Sequence, residues 1–212
     1  MKQKHIIDFF KGATAFFVLF LIFKFHREHS VTAWVYLALH GTYGVLWVLK
    51  SYIFGDKQWE QPAKPIRAVM LASGLSMYWI SPVIITYFWV EAHPAQIAAA
   101  VSLFGFGVFF HFASDMQKHI SLKLKPGLIT TGLFSRIRNP NYFGELLIYS
   151  SFALLPIRDL TWWIGYIPAA AFLSIIGIEW IPNMIRKEKS LSRYPEFAEY
   201  KKQSKLILPF IL

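Results

Sequence analysis

The chain contains no cysteine, and charge is scarce: 22 Lys and Arg and 12 Asp and Glu in 212 residues, or 16%. The missing thiols exclude a disulfide framework, thiolate zinc sites, iron–sulfur clusters and a cysteine nucleophile. Soluble domains average about 25% charged residues, so this chain has too few to cover the surface of an ordinary soluble globule. Also missing are a P-loop, a G-x-G-x-x-G turn, a G-x-S-x-G elbow and an H-E-x-x-H pair. A Rossmann site and serine or zinc hydrolases therefore lack support. There are no internal repeats, low-complexity tracts or Gly/Ser linkers.

What is present is apolar. Hydrophobic residues make up 55% and aromatics 18%, with a mean hydropathy of +0.40. That excludes disorder. The net charge of +10 implies an anionic partner. In so apolar a chain, lipid headgroups and phosphorylated cofactors come before nucleic acid, and no nucleic-acid partner is expected. Crossing a bilayer takes about 20 mostly apolar residues. Six stretches qualify, near 7–25, 33–54, 69–90, 95–113, 142–157 and 162–181. The expected fold is an all-α membrane bundle of about six transmembrane helices with a C-terminal amphipathic helix. It forms one domain over 1–212, with four spans in 1–113 and a loop, two spans and a tail in 114–212. With the N-terminus inside, eighteen Lys and Arg fall on inside segments, three on outside turns and Lys11 within the first span. This asymmetry predicts cytoplasmic N- and C-termini in a bacterial inner membrane. The basic start resembles a signal peptide but lacks a small-residue cleavage site, so it reads as a retained helix.

Two inside segments, 114–141 and 182–212, are longer than connectors need to be. Pro126-Gly127 and Gly132 mark turns. Asn139-Pro140 reads as a helix start, with Asn as cap and Pro at the first helical position. That helix end lies beside Arg136 and Arg138, both expected at the surface. The arrangement suits an anion, either a cofactor phosphate or a lipid headgroup. Glu145 lies one turn in and four residues after Asn141, on the same face. A carboxylate there is costly unless paired or facing a cavity. Glu179 reads as structural. In the tail, Pro182 reads as a helix start and Pro195 as a break. Leu191, Tyr194, Phe197 and Tyr200 form a stripe flanked by Lys201, Lys202 and Lys205, either an interfacial helix or a cover over a ligand. The closing 206–212 stretch is apolar enough to tuck against the bundle. His40 and His111 lack partners at metal-ligand spacing, so packing or hydrogen bonding is expected and no metal.

Asp115-Met-Gln-Lys118 followed by Gly132-Leu-Phe-Ser-Arg136-Ile-Arg138-Asn-Pro-Asn141-Tyr142-Phe-Gly-Glu145 resembles the C-terminal catalytic domain of the steroid 5-alpha-reductase and sterol-reductase superfamily. Arg193-Tyr194-Pro195, Tyr200 and Leu208-Pro209-Phe210-Ile211 resemble that family's closing motif. The resemblance covers roughly 114–212. It implies a membrane enzyme that takes hydride from NADPH and reduces a C=C bond in a lipid-like or steroid-like substrate. Asp115, Lys118, Arg136, Asn141, Tyr142 and Glu145 would line the cofactor site, joined by Arg138 at the helix start, and Arg193 and Tyr194 would close it. The family's early spans handle the substrate carbonyl. Here Tyr43, between Gly41 and Gly44, is the foremost donor candidate, with Glu145 as the other catalytic candidate and Tyr78 and Tyr149 as lesser ones. A packing role for Tyr43 stands beside this. Arg138-Asn-Pro-Asn-Tyr142 is also similar to the helix start of isoprenylcysteine carboxyl and phospholipid methyltransferases, which would imply S-adenosylmethionine instead. Inverted repeats and broken midplane helices, the marks of a transporter, are not seen in the sequence. The oligomeric state is not readable from it.

Overall fold

The computed structural model describes residues 1–209. Among these the chain is helical, without strands. Five helices are long and apolar enough to cross a bilayer: α1 Gln3–Lys24, α2 Val31–Phe54, α3 Pro65–Tyr87, α4 Pro94–Leu124 and α6 Trp163–Leu191. A shorter helix, α5 Pro140–Leu154, precedes α6, and α7 Phe197–Gln203 closes the described chain. The result is an all-α integral membrane bundle.

Three elements differ from the sequence expectation. The fifth expected span is α5, which starts at Pro140 as read but has only 15 residues. It is about 22 Å long at 1.5 Å per residue, short of the roughly 30 Å hydrocarbon thickness. Secondly, the fourth span runs on to Leu124. Nothing in Asp115–Lys123 breaks a helix, and the first breakers are Pro126 and Gly127. The expected 114–141 loop is therefore helical for its first third. Thirdly, Pro182 does not begin a new helix. It lies inside α6, directly after a π-helical turn, Ile176–Trp180. Proline has no N–H to return to the preceding turn, and a π-turn there absorbs the mismatch without ending the helix. A second π-turn, Leu37–Gly41, carries His40 in α2.

The chain divides into two compact units interleaved in sequence: Met1–Phe104 with Tyr149–Leu173, and Gly105–Ile148 with the chain from Ser174 onward. In the first unit α1, α2 and α3 pack together. Glycine allows the close approach: a Cβ on Gly44 would run into the Lys11 carbonyl oxygen, and one on Gly41 would lie 3.2 Å from Ala15 Cβ. Trp79 stacks on Phe17 at 4.3 Å and donates its indole N–H to Thr14 Oγ1 at 3.0 Å. At the far end of the bundle Glu91 accepts from the Thr32 hydroxyl at 3.0 Å, and Arg27 donates to the Thr86 carbonyl at 2.7 Å. His40, fully buried, lies 2.7 Å from the Tyr36 hydroxyl through Nδ1 and stacks on Phe152 at 4.2 Å. That matches the packing and hydrogen bonding expected of it.

In the second unit, α4 and α5 cross at glycines. A Cβ on Gly107 would meet the Gly144 carbonyl oxygen at 2.8 Å, and one on Gly144 would collide with the His111 backbone. Such small-residue contacts let helices touch backbone to backbone, where apolar burial gives no driving force within lipid.

Candidate functional site

The second unit contains every residue proposed above for the cofactor. They fall into two groups. The first lies at the α4–α5 crossing. His111, buried, approaches the Asn141 carbonyl through Nδ1 at 3.3 Å and the Asp115 carboxylate through Nε2 at 3.9 Å. Asp115 is also buried. Tyr142 packs its ring on Trp180 of α6 at 5.0 Å. Asn141, Glu145 and Lys118 are half-buried. One turn further along α4, Gln117 clips the turn after it. Its amide donates to the Thr131 carbonyl at 2.8 Å and accepts from the Leu133 N–H at 3.0 Å. Gly132 between them has φ +59°, and a Cβ there would meet the Gln117 amide. Both facts require glycine at this position.

The second group is built around Arg138, where the structure corrects the sequence reading. Arg138 is buried rather than at the surface. Its Nε donates to Glu188 at 2.8 Å, and its other nitrogen donors include one to the Ser204 hydroxyl at 3.2 Å and one to the Ser204 carbonyl. The backbone around it is zipped to the tail. The Arg138 N–H donates to the Lys205 carbonyl, and the Lys205 N–H to the Arg136 carbonyl, each at 2.8 Å. Asn139 is equally occupied. Its amide donates to the Leu206 carbonyl at 2.9 Å, and its oxygen accepts from Lys187 Nζ at 2.8 Å. Tyr200 donates its hydroxyl to the Phe134 carbonyl at 2.6 Å, and burial pushes its ionisation up to about 12. Phe197 and Tyr200 thus bury the tail stripe against this unit. Arg136 stays exposed. Arg193, also exposed, is paired locally, donating to Ser190 Oγ at 3.2 Å and to the Tyr194 hydroxyl at 3.0 Å. The apolar end of the tail, in so far as it involves Phe210, Ile211 and Leu212, lies outside the described residues.

The cations facing solvent from this unit therefore include Arg136, Arg193, Lys123 and Lys125, with Lys118 half-buried. Arg138 and Lys187 hold the frame. Glu188, Lys187 and Ser204 escaped sequence reasoning. Glu188 sits in the run Arg-Lys-Glu-Lys-Ser, which reads as a solvated charge cluster, and nothing marks Ser204. Gln117 was carried by the Asp-x-Gln-Lys motif, without a role.

Tyr43 belongs to the first unit. It is fully buried, with the Lys11 ammonium 4.2 Å from its ring centre. Tyr78 and Tyr149 stack face to face at 4.2 Å beside it, and Tyr149 meets Tyr43 edge-on at 5.9 Å. The three tyrosines read from sequence as donor candidates therefore gather around one lysine.

Fold and composition define an integral membrane protein of helical bundle type. The chain belongs to the family described as Protein of unknown function (DUF1295), which it matches over residues 1–204. Comparison with curated proteins and with solved structures finds no match.

Proposed function

We propose that the protein is a membrane-embedded reductase that transfers hydride from NADPH to a C=C bond of a lipid-like substrate. The observation that carries this reading is the second unit. The two segments that resemble the reductase superfamily, 115–145 and 193–211, are distant in sequence, yet their described residues are zipped together by the Arg136–Lys205 backbone pair, Tyr200 and Asn139. Around that frame, several solvent-facing cations suit a dinucleotide carrying an additional phosphate. The nicotinamide supplies the redox chemistry. Arg136 and Lys118 would bind the phosphates of the dinucleotide, and Asn141 and Glu145 its polar head. Arg138 acts by holding the tail in place. Both termini lie in the cytoplasm on this reading, where NADPH is available.

The test is the thermal stability of purified protein in detergent. A ligand that binds only the folded state raises the apparent melting temperature. NADPH is expected to do so, and NADH less. Stabilisation by S-adenosylmethionine without NADPH would transfer the protein to the methyltransferase reading. Glu145→Gln is expected to weaken NADPH stabilisation or turnover far more than expression. Full activity in that variant would remove Glu145 from the site.

A further inference from the structure

The first unit holds a polar cleft that the cofactor reading leaves unused. It lies where α1 begins and α2 ends, beside the short 3-10 turn Lys57–Glu60. Lys4, Asp8, Trp47, Lys50, Asp56 and Glu60 line it. The cleft spans about 290 Å³ with its open mouth, and its closed floor has room for about one water-sized group. Three carboxylates and two ammoniums face it, so the surplus sign is negative.

Asp8 is the residue whose hydrogen bonding the protein leaves incomplete. It stands five residues into α1, about 8 Å along the helix. A carboxylate at that depth is costly unless it is paired or faces a cavity. One oxygen, Oδ2, accepts from the Ser51 hydroxyl at 2.8 Å. The other, Oδ1, is buried and has no hydrogen-bond partner among the described residues. Lys4, one turn earlier on α1, pairs with Glu60 at 2.7 Å, and Lys2 holds the same carboxylate at 2.6 Å. Lys50 brings a cation to the cleft from α2. Its side chain is 5% exposed and stands 4.5 Å from the ring centre of Trp47. The residues flanking these groups in sequence are apolar and exposed: Phe9 next to Asp8, and Leu49, Tyr52 and Ile53 around Lys50 and Ser51. Tyr52 and Trp59 are of the aromatic types that gather at headgroup level.

We propose that this cleft holds the headgroup of a bilayer phospholipid that ends in a primary ammonium, of the phosphatidylethanolamine class. The ammonium is about the size of a water molecule and donates to Asp8 Oδ1. The phosphodiester lies against Lys50, and the acyl chains run along the exposed apolar residues of α1 and α2. A quaternary ammonium has no N–H to donate and is too large for the floor. An anionic headgroup without an ammonium meets the surplus carboxylate charge. Binding is non-covalent and belongs wholly to the first unit, so it does not rest on the reductase reading.

The test is native mass spectrometry of the full chain in detergent, titrated with phosphatidylethanolamine, phosphatidylcholine and phosphatidylglycerol of identical acyl chains. Phosphatidylethanolamine should bind about tenfold or more tighter than phosphatidylcholine, the factor that one charge-assisted hydrogen bond carries. Asp8→Asn keeps the shape and removes the charge, and it should bring the two lipids within about twofold of each other. Lys50→Met should weaken both alike. Equal affinities in the wild type, or an unchanged preference in folded Asp8→Asn, would overturn the ammonium contact. Tighter binding of phosphatidylglycerol would overturn the charge assignment and make the cleft a site for anionic lipid. Free phosphoethanolamine binding as tightly as the lipid would overturn the bilayer source in favour of a soluble amine. If Asp8→Asn fails to fold, the wild-type lipid series carries the test.

Discussion

Two arginines two residues apart divide between solvent and the buried frame. Arg136 is exposed, whereas Arg138 is buried on Glu188 and Ser204. Spacing alone makes them equivalent, because a residue's depth depends on what later chain covers it. Their variants should separate. Arg136→Ala should leave the fold intact and weaken NADPH binding by about 1.5–3 kcal/mol, the scale of a charge-assisted hydrogen bond. Titration calorimetry checks this, and unchanged affinity would return Arg136 to topology or lipid contact. Arg138→Ala should instead destabilise the fold by about 3 kcal/mol, since breaking the buried pair leaves Glu188 with the exposed Lys201, 3.5 Å away, as its ion-pair partner. Replacing both, Arg138→Met with Glu188→Leu, should recover most of that loss in a double-mutant cycle. Additive losses would show that the pair carries no coupling.

The tail shows how much an element's role depends on where it docks. Its three-residue apolar stripe suits either lipid or protein. In the structure Phe197 and Tyr200 are buried, and Lys201 and Lys202 are left outside. Tyr200→Phe keeps the ring and removes the donor to the Phe134 carbonyl. Leaving that acceptor unmet should cost about 1–3 kcal/mol, read as a lower melting temperature and faster proteolysis after Arg193. The pH dependence has a definite sign. The native hydroxyl ionises at about 12, against 10.0 for an ordinary tyrosine. Above pH 10 the unfolded chain loses this proton first, so the contribution is complete below pH 10 and is lost as pH rises toward 12. The gap between wild type and Tyr200→Phe should shrink over that window, and a constant gap would show that the hydroxyl does not titrate with folding. On α5, Gly144→Ala should force α4 and α5 away from each other at their contact. It should destabilise more than Gly74→Ala, whose Cβ would meet nothing within 4 Å.

At the level of the whole molecule, the short helix α5 decides the topology. If α5 counts as a crossing, there are six crossings and both ends share a side; if it stays at one face, there are five and the ends differ. The eighteen-to-three distribution of Lys and Arg favours six, and local bilayer thinning accommodates a helix of 15 residues. Reporter fusions placed in the 57–64 loop and after residue 212 should therefore both read cytoplasmic, and one at 91–93 should read the opposite side. Opposite readings for the first two would make α5 a non-crossing helix and remove the tail from the NADPH compartment.

The sequence alone determined the solvent of this protein and its helical class, because hydropathy summed over about 20 residues is a local quantity that no later contact reverses. It also placed the Pro140 helix start, the turn at Gly132 and the Pro195 break, each set by backbone chemistry at one or two residues. Tertiary structure decided what could not be local. It buried Arg138 and left Arg136 outside, and it joined 136–138 to 204–206. It carried α6 through Pro182 on a π-turn. It also drew Tyr43, Tyr78 and Tyr149 around Lys11, from four helices whose separation along the chain holds no record of their meeting. Each of these depends on pairing distant segments. The hydrogen bonds and ring contacts that result belong to side chains of individually ordinary types, so no pattern in the sequence announces them.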